Sequence, residues 1–286
     1  MKKGATLTFG YLILGLVALL LLGLQVLKYS DRQEVSNTWR SLSDLAKSSP
    51  ALFRTEMVAD LPDPVRRYFL FSIMPGTPLR TVAEINMTGE IGLGSKESPN
   101  YMPMQAQQII SPPHGLVWKV NAGSGLMKMT GSDGYINDKS WVRFWILHTI
   151  PVVHVGGTPD YNRSSFGRVV AEAAFWAPAT LLPQKGIHWQ AVAKNKAKVT
   201  VEHNGISQQL EITVAENGAP LSVVIPRWSN ANPEKEWRVQ PFGGTLSEFK
   251  TFDGFNLATR VDGGNFFGTD DYFPFYRAEV EDIRFK

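Results

Sequence analysis

KAKVTVEHNGISQQLEITV, residues 196–214, is the stretch that decides the fold class. Ala197, Val199 and Val201 on one side of Asn204-Gly205, and Leu210, Ile212 and Val214 on the other, alternate with polar neighbours. A period of two puts successive side chains on opposite faces of a strand, so each run buries one face. Asn-Gly supplies the positive φ that both central positions of a type I′ turn demand. The stretch therefore reads as a β-hairpin.

Outward from it the same device recurs. ITVAENGAPLSVVI carries Asn217-Gly218 and EFKTFDGFNLATRV carries Asp253-Gly254 between alternating runs, which predicts a meander of hairpins. The closing YRAEVEDIRF alternates too. Its residues Tyr276, Ala278, Val280 and Ile283 share one face only if a single bulge shifts the register. Upstream, TVAEINMTGEIGL, MQAQQII and GLVWKV read as further antiparallel strands bounded by Gly, Pro, Asn and Ser. The glycine-rich GEIGLGS (89–95) and NAGSG (121–125) lack the strand-to-helix setting of a dinucleotide loop and read as turns.

Between the two groups of strands lies DYNRSSFGRVVAEAAFWAP, residues 160–178. Phe166, Val169, Val170, Ala173, Trp176 and Ala177 recur at helical spacing, which predicts one helix with one apolar face. Ser164 or Ser165 is the expected cap, and Pro178 cannot continue the helix. Arg168 and Glu172 stand four apart at the edge of the apolar stripe, placed to pair with each other. The expected fold class is mainly β (α+β): a curved antiparallel sheet or open barrel with one or more packed helices.

Three regions follow from the rest of the chain. The 22 residues Thr6–Leu27 carry no charge, enough to cross a bilayer of about 20 residues' thickness. The run is longer than a signal-peptide core and has no small-residue cleavage pattern, so residues 1–29 read as an uncleaved N-terminal transmembrane anchor. Lys2 and Lys3 favour the N-terminus inside a cytoplasmic membrane, with the main domain periplasmic or extracellular. Residues 30–59 read as an amphipathic stalk helix and linker, from the spacing of Val35, Trp39, Leu42 and Leu45 and the stop at Ser48-Ser49-Pro50. Residues 60–286 read as one β-rich domain, opening with a short helix at LPDPVRRYFLF that Asp63 would cap.

Composition excludes several functions. The chain has 286 residues, 43% hydrophobic and 19% charged, so it is neither disordered nor short of core material. Its formal charge of +3 comes from Lys2, Lys3 and Lys28 beside the apolar run, and the remaining basic residues balance the 26 acidic ones. A nucleic-acid partner, which needs clustered Lys and Arg, is not expected. With no cysteine there are no disulfides and no thiolate sites. The signatures G-x-S-x-G, H-E-x-x-H and Walker A are missing as well. His148 and His154, six apart, do not have the spacing of a metal pair, and Asp270-Asp271 reads as a solvated turn, so no metal and no cofactor is expected.

Aromatics are the persistent signal, with 8 Trp and 16 Phe. Trp118, Trp141, Trp145, Trp176 and Trp189 either fill a wide gap between sheet and helix or line a cavity for a hydrophobic ligand. WVRFWILHTIPVVHV, residues 141–155, reads as a buried strand or as a flap that touches lipid near the bilayer.

The combination LPDPVRRY, the MQAQQ strand, WKV, the SDGY turn, IHW and PFYRAEVEDIRF resembles an uncharacterised bacterial family of domains of unknown function, often membrane-anchored. Its specific part is the helix end E-A-x-x-W-x-P-x-x-L-L-P, here Glu172, Trp176, Pro178, Leu181 and Pro183. The resemblance spans nearly the whole extramembrane region and implies a common fold without an assigned reaction. By architecture alone the pattern is also similar to open-barrel carriers of lipids and lipoproteins in bacterial envelopes. Three functions stay open. In a module for a lipid or other hydrophobic ligand, Trp118, Trp141, Trp145 and Trp176 line the cavity while Arg168 and Glu172 grip a polar head. In an envelope hydrolase or transferase, Glu172 works with Asp133 or His188. In a structural interaction domain, none of these is a site.

Overall fold

The computed structural model describes residues 2–286, with side chains from Phe9 onward, so the side chains of Lys2 and Lys3 lie outside the described residues. Helix α1, Lys2–Ser43, runs unbroken, so the apolar run and the amphipathic stretch are one rod. Phe9–Ser43 is long and apolar enough to cross a membrane. Leu45 lies past the end of α1 and is exposed, because the chain turns there before Pro50. Helix α2, Asp63–Ser72, begins one residue earlier than expected. Pro62 holds the cap position, and the Asp63 carboxylate instead accepts from Arg66 at 3.0 Å and Arg67 at 2.7 Å.

Six strands follow: β1 Ala83–Gly92, β2 Tyr101–Ser111, β3 Gly115–Ala122, β4 Met129–Ile136, β5 Lys139–Ile146 and β6 Ile150–Gly156. Helix α3, Pro159–Trp176, then leads to β7 Ile187–Ala193, β8 Lys196–His203, β9 Ile206–Val214, β10 Pro220–Ser229, β11 Arg238–Phe252, β12 Phe255–Asn265 and β13 Phe273–Phe285. All thirteen form one antiparallel sheet in the order β6-β5-β4-β3-β2-β1-β13-β12-β11-β10-β9-β8-β7. The first hairpins run outward from the centre to β6, α3 carries the chain across to the far edge at β7, and later hairpins return to pair β13 with β1. The sheet is open, and it curves until His114 at the β2–β3 turn lies 5.1 Å from His203 at the β8–β9 turn.

Turn chemistry sets the registers. Asn204-Gly205 and Asp253-Gly254 have both residues at positive φ and make the expected two-residue turns. At Asn217-Gly218 only the glycine is left-handed. Residues 215–219 join the two strands, with Ala215 donating to the Ala219 carbonyl, Gly218 donating to the Ala215 carbonyl and the Asn217 side chain accepting from Ala219. Ser132–Tyr135 is strand and not turn; the turn comes two residues later, where Asn137 and Asp138 both take positive φ. Gly89–Gly92, likewise, belongs to β1. The bulge required in β13 is present: Asn86 faces Asp282 and Met87 faces Val280, so Glu281 is the extra residue and Val280 and Ile283 both turn inward.

α3 fills the hollow of this sheet. Thr158 caps it, accepting from Tyr161, and Pro159 occupies the first turn, which moves the start six residues ahead of Ser164. The expected single apolar face is too narrow a description: Phe166, Val169, Val170, Ala171, Ala173, Ala174, Phe175 and Trp176 are all buried, because sheet surrounds the helix. The small residues let backbone and sheet approach closely. α2 completes the same core through Val65, Tyr68 and Phe69, with the Tyr68 hydroxyl donating to the Ala174 carbonyl at 2.7 Å. α1 lies on the opposite, outer face of the sheet, where Val35 and Leu42 pack against Val82, Ile109, Val117 and Trp141.

Candidate functional site

Strand register brings the polar residues of the hollow together. Gln108, Trp118 and Asp133 are direct neighbours across β2, β3 and β4, all on the inner face. Above them α3 places Arg168 and Glu172 one turn apart. Arg168 donates from Nη1 to Asp133 Oδ1 at 2.6 Å, from Nε to Glu172 Oε1 at 2.5 Å and from Nη2 to Gln108 Oε1 at 3.4 Å. Gln108 Nε2 closes the ring by donating to Glu172 Oε2. Burial opposes the Arg168 charge, but the Asp133 and Glu172 carboxylates outweigh it and raise its pKa above the ordinary guanidinium value. Both Glu172 oxygens are occupied, so the pair is the ion-paired arrangement that the spacing implied and Glu172 is not a lone acid.

A second guanidinium completes the floor. Arg227 on β10 donates from Nε to Ser164 Oγ at 3.1 Å and lies 4.5 Å above the Phe242 ring. Among the described residues no carboxylate is within ion-pair distance of it. Burial, followed by the like charge of Arg168, pushes it down to about 10, which still leaves it cationic at neutral pH. Tyr276 is held neutral, burial first and the Glu172 charge second raising its phenol.

These groups form the inner end of a cavity of about 620 Å³. Its walls are apolar: Phe144, Ile146 and Val153 from one arm of the sheet, Phe175 and Trp176 from α3, Phe242 from the other arm. Gly243, Gly244 and Gly263 keep the floor low. The volume falls inside the roughly 300–1,000 Å³ range of small-molecule sites.

The cavity gathers Trp118, Asp133, Arg168, Glu172 and Trp176 but excludes the other sequence candidates. Trp141 and Trp145 are corrected: with Arg143 they occupy the odd positions of β5, which point to the outer face, while Phe144 and Ile146 point in. Trp141 packs under α1 and donates to Ser132 Oγ, and Trp145 lies under Lys28. His188 is exposed on β7 and is not a partner of Glu172. His154 stands 3.2 Å from Asp31 of α1, and the His148 carbonyl accepts from Lys28. Among the described residues no group of three His, Asp or Glu is close enough to hold a metal ion.

Sequence reading missed Gln108 and Arg227, although both carry a signal. In Met104-x-Ala106-x-Gln108-x-Ile110 and in Val223-x-Ile225-x-Arg227, a polar side chain stands in phase with the buried face of a strand.

The sequence profile of a family of unknown function (DUF6544) matches residues 51–278. No curated protein matches the chain. Among solved structures, a LolA superfamily protein from Nitrosomonas europaea is similar at 9% identity and a TM-score of 0.43, over 78% of this chain and 92% of that one. A putative outer membrane lipoprotein-sorting protein domain from Vibrio parahaemolyticus is similar at 9% identity and a TM-score of 0.33, over 81% and 92%. Likeness at this level leaves the ligand and the chemistry to the residues of the cavity.

Proposed function

We propose that this chain, which belongs to the family of unknown function DUF6544, is a membrane-anchored, non-enzymatic binding module for an amphiphile with an apolar tail and a negatively charged head. Residues 1–29 are the anchor, with the N-terminus inside, and the β domain from residue 60 works outside the cytoplasm. The observation that carries the reading is an apolar cavity of about 620 Å³ with the cationic Arg227 at its inner end.

The two arginines differ in what they have left to offer. Arg168 spends one donor from each of its three nitrogens on Glu172, Asp133 and Gln108, so its role is to fix the floor and hold two carboxylates. Arg227 has its Nε on a hydroxyl and its ring-facing side on Phe242, which leaves its remaining N–H donors for a ligand. A carboxylate or phosphate there gains a charge-assisted, bidentate contact. The head is thereby assigned to Arg227 and not to the Arg168–Glu172 pair. Acid–base catalysis has less support, because Glu172 and Asp133 share one arginine and His188 lies outside.

Native mass spectrometry of the full chain, released from mild detergent and followed by organic extraction, tests the proposal. A stoichiometric anionic lipid adduct is expected. A clean apo mass across several preparations, with no displaceable binding of a fluorescent fatty acid, overturns it.

A further inference from the structure

The face of α1 that meets the sheet fixes which end of the domain points toward a membrane. Its C-terminal end lies beside the last strand, where Lys286 Nζ donates to Ser43 Oγ at 3.1 Å and Trp39 donates to Glu84 at 2.8 Å. Midway, Arg143 pairs with Asp31 at 3.1 Å and Glu34 at 2.7 Å. At the other end of the sheet Lys28 donates to the His148 carbonyl in the β5–β6 turn at 2.7 Å. Beyond Lys28 the helix leaves the domain altogether. Its charge-free segment of 22 residues measures about 33 Å at 1.5 Å per residue, against roughly 30 Å of hydrocarbon. Lys28 thus stands at the lipid–water boundary, and it brings the β5–β6 turn with it.

What surrounds that turn is unusually apolar. Leu126 and Met127, in the short turn of helix between β3 and β4, are 80% and 56% exposed. Leu147 and Ile150 flank the β5–β6 turn, Val152 follows on the edge strand, and Leu93 directly follows β1, all of them exposed. By register these are ends of adjacent strands: Gly92 faces Tyr101, Met104 faces Ala122, Ala122 faces Met129, and Met129 faces Ile146. Lys28, Arg32 and Lys128 converge on His148 within the same rim, a charge pattern that suits anionic lipid headgroups. Leu93, Met129, Ile146 and Val152 also line the cavity, so its mouth opens through this rim.

We infer that the rim of Leu93, Leu126, Met127, Leu147, Ile150 and Val152 dips into the bilayer crossed by α1, so that the cavity takes its amphiphile directly from the membrane and not from water. The uptake half of this inference rests on the proposed function, whereas the docking half does not. The flap read from residues 141–155 is in this account the lipid-touching lip, with its inward side chains lining the entrance.

The chain has no cysteine, so single labels are free of background. Leu126→Cys and Ile150→Cys report on the rim. Leu52→Cys, exposed and bridged to Pro78 in the chain that follows the C-terminal end of α1, is the control, and that helix end at Ser43 lies about 22 Å from Lys28 along the axis. Each labelled full-length protein is placed in vesicles of three parts phosphatidylethanolamine to one part phosphatidylglycerol, with spin-labelled acyl chains as quencher. The inference expects blue-shifted emission and loss of most fluorescence at positions 126 and 150, and neither at 52. Emission at all three positions like that of a water-exposed dye overturns it, whatever the cavity holds. Extraction of the same samples separates the two readings: quenching with an empty cavity supports docking and overturns the binding proposal, while a loaded cavity without quenching does the reverse.

Discussion

Replacing Arg168 with methionine removes the one cation that Asp133 and Glu172 share. Two carboxylates are then left facing each other across the floor with side-chain exposures of only 21% and 10%. Removing one partner of a buried ion pair costs about 3–5 kcal/mol, and cavity water screens this network enough to favour about 3. For a domain of this size each kcal/mol moves Tm by roughly 2–4 °C, so Arg168→Met should lower it by about 6–12 °C. Glu172→Gln is the matched comparison. The amide can still accept from Gln108, and Arg168 keeps Asp133, so the cost is near one hydrogen bond, about 1 kcal/mol or roughly 2–4 °C. The deficit of Arg168→Met should also shrink as pH falls from neutral toward 4.5. Its folded state binds a proton between the stranded carboxylates more firmly than its unfolded state does, so acid favours folding of the variant relative to the parent. Thermal melts of both variants at a series of pH values provide the test. Should Glu172→Gln melt as low as Arg168→Met, or the Arg168→Met deficit grow in acid, the assignment of Arg168 as the shared counter-ion is wrong.

Arg227→Gln should weaken displacement-assay binding of a fluorescent fatty acid at least about tenfold, while leaving Tm unchanged or raised, because it removes a half-buried charge that, among the described residues, has no carboxylate at ion-pair distance and only Asp133 and Glu172 to offset it from further away. Loss of stability together with unchanged binding would place its role in packing. Gly263→Leu should close the cavity without harming the fold: a Cβ there meets only the Gly243 carbonyl oxygen at 3.8 Å and Tyr276 Cδ1 at 4.0 Å, so the added side chain extends into open space. Binding should vanish with Tm nearly constant, and retained binding would put the ligand elsewhere. Gly243→Ala is the opposite case, since its Cβ would lie 2.2 Å from the Val223 carbonyl oxygen, and melting should show a loss of about 1–3 kcal/mol from forced backbone movement. Tyr68→Phe leaves the buried Ala174 carbonyl without its donor, and a cost of about 1 kcal/mol in chemical denaturation is expected.

Local rules made much of the molecule legible. Alternation with Asn204-Gly205 and Asp253-Gly254 marked two of the later hairpins, and the odd step between Val280 and Ile283 demanded the bulge that pairs Asn86 with Asp282 and Met87 with Val280. Those features depend on a few adjacent φ values and on which face of one strand is wet. Helix starts were less legible. At α3, Thr158-Pro159 outcompeted Ser164 because a proline at the first turn fixes the chain entry whichever nearby side chain could cap, and at α2 the cap falls on Pro62 while Asp63 turns its carboxylate to Arg66 and Arg67. The site was legible only as parts: Arg168 with Glu172 follows from four-residue spacing, while Trp141 and Trp145 had the right chemistry on the wrong face.

By itself the sequence determined the anchor-length apolar segment, the antiparallel β class, the single inserted helix and the absence of thiol chemistry, all of which depend on composition and on periods of two or 3.6. Tertiary structure decided everything that requires two distant segments to meet. It alone aligned Gln108, Trp118 and Asp133 across three strands, lowered α3 onto them, and left Arg227 as the unshared charge. It alone turned α1 along the outer face so that Lys28 meets His148 and the cavity mouth points the way the helix leaves. Periodicity assigns a residue to a face of its own strand or helix, but which faces come together is set by how far the sheet curves and where the chain crosses it.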